Sequence, residues 1–282
     1  MSNFSGKCVI VTGGSRGIGK AIAKEFFGLG AEVLICARDR KELEAACNEI
    51  DPKGKKFFGI KADVSKIADC EKVINFAVKK FGTIDILVNN AGTYGEIEEF
   101  EKTNLKNWTK TIAVNLFGTV YCTRAALPIM KKAGAGKIIN FAGGGIGGKK
   151  PLPNFSAYYT SKMAIAGFTE TVAAETAKWN IQINCISPGP VNTAITDYLV
   201  AQGPEKAGEE MYKQSLQQKK TGGSSAQLAT DLIDFLCSAD ANHITGRLLS
   251  AKWDSIDTLK KMGKEGDMFK LRRIDNDLFR AQ

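Results

Sequence analysis

Thr12-Gly13-Gly14-Ser15-Arg16-Gly17-Ile18-Gly19 is the stretch whose reading decides the fold. It follows the apolar run Cys8-Val9-Ile10-Val11, which reads with Lys7 and Thr12 as a buried strand. It opens a segment, Gly17–Leu29, of helical periodicity that stops near Gly30. Glycines at a strand-to-helix turn let a pyrophosphate approach backbone N–H groups, and the helix N-terminus adds a favourable dipole. The spacing, G-x-x-x-G-x-G, is a variant of the dinucleotide fingerprint. Gly13, Ser15, Arg16, Gly17, Ile18 and Gly19 are therefore candidate cofactor contacts.

The alternation continues outward from this turn. Glu32–Ala37, Lys56–Ala62, Asp85–Asn89, Lys137–Phe141 and Ile181–Ser187 read as further strands. Arg38–Ile50, Ser65–Phe81, Leu105–Lys132 and Ser156–Trp179 read as helices between them. Such a repeat implies an α/β fold, a parallel sheet with helices on both faces. No linker rich in Pro, Ser or Gly divides the 282 residues. Pro188 to Ser225 reads as an irregular, charged lid, and beyond Leu249 the pattern fades into a polar tail.

The end of the second strand bears on which dinucleotide binds. An acid there usually holds the ribose 2′-hydroxyl of NAD. Here Ala37 stands at that position and Arg38 follows, while Arg16 adds a second guanidinium. Two guanidiniums suit a 2′-phosphate through charge-assisted hydrogen bonds. NADP(H) is expected over NAD(H). The alternative is that Arg38 opens an exposed helix and Asp39 accepts the 2′-hydroxyl.

Tyr158 and Lys162 stand four apart in a helical segment, hence on one face. A neighbouring cation favours the phenolate, so the tyrosine pKa is expected to fall towards working pH, as acid/base work on an alcohol or carbonyl requires. Tyr159 competes for the role but stands three residues from Lys162.

Composition excludes several other chemistries. The seven cysteines are scattered through apolar segments with no metal-type spacing, and read as reduced core residues. His243 is the only histidine, which argues against zinc and against Ser/His or Cys/His catalysis. The net charge of +9 is spread along the chain without a basic-aromatic module, so an anionic small ligand is expected rather than nucleic acid. No apolar run approaches the roughly 20 residues of a membrane span, and the N-terminus lacks a signal-peptide layout, so a cytoplasmic location is expected.

In combination these motifs resemble the short-chain dehydrogenase/reductase family. They occur in order: Thr12–Gly19, Asp63-Val64, Asn89-Asn90-Ala91-Gly92, Asn115, Tyr158 with Lys162, and Pro188-Gly189 followed by Thr193. The resemblance implies a Rossmann-type three-layer α/β sandwich around a mainly parallel seven-stranded sheet. It implies a single domain over residues 1–250, with an extension over 251–282. Asp63 and Val64 would contact the adenine. Asn90, Ala91 and Gly92 would line the cofactor, and Asn89 would tie neighbouring strands. Pro188, Gly189, Val191 and Thr193 would hold the nicotinamide end. Tyr158 would exchange a proton with the substrate oxygen, and Lys162 would bind the nicotinamide ribose. Asn115 would hold a water of a proton relay, or else only stabilise a helix kink. The implied assembly is a homodimer or homotetramer, and the implied substrate a small-molecule carbonyl or alcohol.

The chain departs from the family at one point. Where a catalytic serine is usual, in Asn-x-Ser-Ser, it reads Asn140-Phe141-Ala142-Gly143-Gly144-Gly145. That serine normally steadies developing negative charge on the substrate oxygen. The Gly143–Gly145 backbone, Asn154 or Ser156 could replace it. A catalytically impaired sensor or scaffold that only binds the dinucleotide is the alternative function. The glycine run and the approach Pro151-Leu152-Pro153-Asn154-Phe155 resemble a bacterial branch associated with sugar-nucleotide and polysaccharide pathways. A keto-sugar or nucleotide-linked sugar would suit Lys149, Lys150, Arg272 and Arg273, unless these are simply solvated.

Overall fold

β1 (Cys8–Thr12) is buried along its whole length, as expected of a central strand of a parallel sheet covered on both faces. The computed structural model describes residues 3–143, 146, 152–263 and 268–271. Among these, β1 is joined by β2 (Glu32–Ala37), β3 (Phe57–Lys61), β4 (Ile86–Asn89), β5 (Gly136–Phe141), β6 (Ile181–Ser187) and β7 (Leu248–Ser250). The order is β3-β2-β1-β4-β5-β6-β7, and every pairing is parallel. This is the expected seven-stranded Rossmann-type sandwich.

Alternation along the strands splits the core in two. Val9 and Val11 face a layer containing Ile22 and Phe26 of α1 (Gly17–Gly28), Leu43 of α2 (Arg40–Ile50) and Ile233 and Leu236 of α10 (Ala226–Cys237). Cys8 and Ile10 face Val73 and Ile74 of α3 (Ile67–Phe81) and Cys122, Ala126 and Met130 of α5 (Gly118–Ala133). The sheet order reverses between β1 and β4. A crevice opens at the carboxyl ends of such strands.

Three expectations need correction. The helix expected over Leu105–Lys132 is broken into α4 (Leu105–Ile112), a π turn at Ala113–Phe117 and α5. Such π turns are common at functional sites, and this one carries Asn115. By length and composition Leu105–Ala133 is apolar enough to cross a membrane, contrary to the expectation of no such run. Its apolar residues Val114, Cys122, Ala126 and Met130 lie in the core. The stretch expected to be irregular folds into α7 (Ala194–Ala201), α8 (Gly203–Ala207) and α9 (Glu209–Thr221). Leu199 and Ala207 seat these helices against Ile97 and Phe155.

Past β7, Leu259 of α11 (Ile256–Lys260) is fully buried in the main core. Leu248 N–H donates to the Phe269 carbonyl at 2.7 Å and Arg247 Nη1 to the Met268 carbonyl at 2.8 Å. The described part of the tail is therefore fastened at β7.

The cysteines are free, and all but the half-buried Cys47 are buried. They set an alkaline limit to stability. Burial pushes Cys36, Cys185 and Cys237 from 9.0 up to about 12, and raises Cys8 as well. Above pH 9 the unfolded chain releases thiol protons that the native chain keeps, so stability is lost as pH climbs towards 12. Lys137 and Lys162 act oppositely, since burial lowers each from 10.5 to about 8 and stability is gained between those values. The thiols outnumber the lysines. The melting temperature under reducing conditions is expected to fall once the pH passes about 9, and a continued rise to about pH 11 would contradict this.

Candidate active site

At the end of β1 the glycine turn is built by close approach. Gly13 and Gly17 have φ of 66° and 55°, which favour glycine. Asn90, just past β4, donates through Nδ2 to the carbonyls of Thr12 (2.9 Å) and Gly13 (3.2 Å). A Cβ on Gly19 would overlap both the Gly13 carbonyl oxygen and Asn90 Nδ2. The first turn of α1 carries no acidic residue, and its N-cap, Arg16, supplies no side-chain cap. The open N–H groups there form an anion site.

The turn forms one wall of a cleft of about 900 Å³. Ala37, Arg38, Asp39, Glu42, Asp63 and Val64 line its far end. The acids there already serve as acceptors. Asp39 Oδ1 caps α2 by accepting Glu42 N–H at 2.9 Å, and Asp63 Oδ1 accepts from Ser65 Oγ at 2.7 Å. Glu42 accepts from Arg16 Nη1 at 2.9 Å and from Ser15 Oγ at 3.2 Å. Arg38 makes no hydrogen bond among the described residues, although its charge helps hold the Asp63 pKa low. A dinucleotide fits these residues, with pyrophosphate on the open helix end and a free guanidinium at the adenosine end.

Tyr158 and Lys162 lie on α6 (Ser156–Thr176), both buried. Lys162 Nζ donates to the Phe141 carbonyl at 2.8 Å and stands 5.9 Å from the centre of the Tyr158 ring. Gly92 separates it from the cleft, because a Cβ there would come within 3.5 Å of Nζ. The Tyr158 hydroxyl packs onto Gly143, where a Cβ would overlap it and would lie 2.7 Å from Cζ. The expectation that the lysine lowers the tyrosine pKa fails here. Burial raises Tyr158, the nearby Tyr94 phenol raises it further, and Lys162 is engaged by a carbonyl. Asn115 is fully buried and its amide is fully used. Its Oδ1 accepts Thr93 N–H at 2.8 Å, and Nδ2 donates to the Thr93 carbonyl at 2.9 Å and Ser161 Oγ at 3.0 Å. Its side chain thus braces the loop before Tyr94. Asn89 does tie β4 to β5, donating to Asn140 Oδ1 at 2.9 Å.

A profile described as short chain dehydrogenase matches residues 7–203. The chain belongs to the short-chain dehydrogenase family. Dehydrogenase/reductase SDR family member 4 of Homo sapiens is 33% identical over 246 residues, 86% of this chain and 85% of the relative. L-fucose dehydrogenase of Bos taurus is 33% identical over 206 residues, 72% of this chain and 73% of the relative. Levodione reductase superposes with a TM-score of 0.78 at 27% identity, covering 88% of this chain and 96% of the other. NAD+-bound xylitol dehydrogenase does so with a TM-score of 0.78 at 26% identity, covering 88% and 98%. The family uses nicotinamide dinucleotides to interconvert alcohols and carbonyls.

In this short-chain dehydrogenase the cleft gathers Gly13, Ser15, Arg16, Gly17, Ile18, Gly19, Arg38, Asp63, Val64, Asn90, Ala91, Gly92 and Thr193. Tyr158, Lys162 and Asn115 lie one layer behind it, and Tyr159 is half-buried away from it. Pro188, Gly189 and Val191 also stay off its wall. Gly189 faces Ser224 and Lys252, and Val191 bridges to Gly223. Gly144, Gly145, Lys149, Lys150, Arg272 and Arg273 lie outside the described residues. Sequence reading missed Glu42, Tyr94, Tyr198 and Lys219 on the cleft wall. Glu42 was detectable as an acid in the first turn of the helix that follows the cofactor-selecting strand.

Proposed function

We propose that this chain is an NADP(H)-dependent carbonyl reductase or alcohol dehydrogenase in which Tyr158 is the proton donor and acceptor. The observation that carries this is the contact between Tyr158, which has Lys162 beside it in the buried cluster with Ile97, Phe155 and Leu199, and Tyr94, which lines the cleft. The bound dinucleotide supplies the hydride. Tyr158 gives its proton to the substrate oxygen in reduction and takes it back in oxidation. Lys162, lowered to about 8 yet charged at pH 7, keeps a positive charge 5.9 Å from the centre of the Tyr158 ring.

Leu152, Met211 and Tyr212 pack against the buried cluster that holds Tyr158. A sugar would leave hydroxyls unpaired against such a surface, which is costly. The substrate we favour is therefore a carbonyl compound with an apolar body rather than the keto-sugar raised by the bacterial resemblance. A panel with NADP(H) tests this, using the diketone levodione for reduction and L-fucose and xylitol for oxidation. Higher kcat/KM for the diketone supports the reading, and preference for the sugars contradicts it. The second reading, a non-catalytic dinucleotide sensor, rests on the Tyr158 hydroxyl being packed over Gly143 off the cleft wall. Tight NADPH binding with no turnover of any member would favour it.

The NADP(H) preference rests on Arg38, whose side chain has no hydrogen-bond partner among the described residues, while Arg16 is held by Glu42. Arg38→Ala is expected to weaken NADPH binding about tenfold or more, with NADH little changed, in fluorescence titration. Equal loss for both would contradict the assignment. We further propose a homodimer or homotetramer packed through α4, the π turn, α5 and α6, which expose Leu105, Phe117 and Met163.

A further inference from the structure

The loss of the usual serine leaves open what steadies the substrate oxygen against Tyr158. Ala142 and Gly143 stand at the serine positions, and the space a side chain on Gly143 would fill is taken by the Tyr158 hydroxyl. Two of the alternatives raised from sequence point elsewhere. Asn154 Nδ2 donates to the Lys206 carbonyl at 2.7 Å, on the α8 side. Ser156 Oγ accepts from Trp108 Nε1 at 3.1 Å, on the α4 side, and is not part of the cleft wall.

Tyr94 differs from both. Its ring meets that of Tyr158 edge to face, with centroids 4.7 Å apart, and that of Phe155 at 5.3 Å. It also lines the dinucleotide cleft together with Gly92 and Thr93. It thus touches both the cleft and the Tyr158 ring. Its hydroxyl has no hydrogen-bond partner among the described residues. Its backbone is held from the preceding residue, since Asn115 takes both the N–H and the carbonyl of Thr93.

We propose that Tyr94 donates the second hydrogen bond to the substrate oxygen, the role that Ala142 and Gly143 leave vacant. This rests on the reading of Tyr158 as the proton donor. Tyr94 exchanges no proton in the reaction. Burial raises its pKa above the ordinary 10.0, so it stays a neutral donor while charge develops on the substrate oxygen. A pair of phenols in contact also divides the work, because ionising one opposes ionising the other.

Tyr94→Phe keeps the ring and removes only the hydroxyl. With NADPH and levodione it is expected to lower kcat about 10²-fold, the scale of losing one oxyanion donor. KM for levodione, NADPH affinity and melting temperature are expected to hold, which a packing role alone would not produce. Tyr158→Phe, assayed alongside, separates the two claims. If Tyr158→Phe is inactive and Tyr94→Phe turns over at the wild-type rate, the role of Tyr94 is overturned and the proton donor stands. If Tyr158→Phe stays active, or wild-type protein turns over no carbonyl, both are overturned.

Discussion

Tyr158→Phe is expected to lower kcat by about 10²- to 10⁴-fold, the usual contribution of a positioned general acid. NADPH affinity should hold, because Tyr158 is not part of the cleft wall. Stability should hold as well, since the hydroxyl has no hydrogen-bond partner among the described residues and the ring's contacts with Tyr94 are kept. Steady-state reduction of levodione, NADPH fluorescence titration and a melting curve measure the three effects. A variant that melts normally, binds NADPH and retains most of its turnover would remove Tyr158 from the chemistry. Loss of NADPH binding would instead place the tyrosine in the cofactor site.

Gly19→Ala should nearly abolish NADPH binding and lower stability. The added methyl meets backbone and the amide that pins it, the Gly13 carbonyl and Asn90 Nδ2. Neither is the far end of a flexible side chain, so α1 must move away from the turn. Overpacking of this kind costs about 1–3 kcal/mol. The movement also pulls the open N–H groups of the first turn from the pyrophosphate position, so binding suffers more than folding. Gly28→Ala is the control on the same helix, since a Cβ there meets nothing within 4 Å. It should bind NADPH normally and melt no lower than wild type. Equal binding by both variants would contradict the placing of the phosphate site.

Much of the fold was legible because buried parallel strands are written as continuous apolar runs. Glu32–Ala37 and Ile181–Ser187 have the limits that alternation and turn residues imply. α9 escaped notice because it is polar nearly all round, with only Ser215 buried, so no stripe marks it. The π turn escaped because apolar spacing continues through it, and its cause is three-dimensional, the amide of Asn115 reaching Thr93 and Ser161. In the site, the phosphate turn and Arg38 were visible as local chemistry. The sign of the Tyr158 pKa shift was not, because spacing brings Lys162 near but says nothing of the burial that outweighs it. Tyr94 lies in a loop without periodicity, and its meeting with Tyr158 depends on how β4 and α6 are packed.

The central claim is that the dinucleotide cleft and the buried tyrosine form one hydride-transfer site. Isotope transfer tests it most directly. NADPH carrying deuterium at both C4 positions of the nicotinamide is mixed with the protein and levodione, and the alcohol product is analysed by mass spectrometry. One deuterium on the carbinol carbon is expected with wild-type protein, and almost none with Tyr158→Phe over the same time. Tight NADPH binding without label in any product would contradict the account.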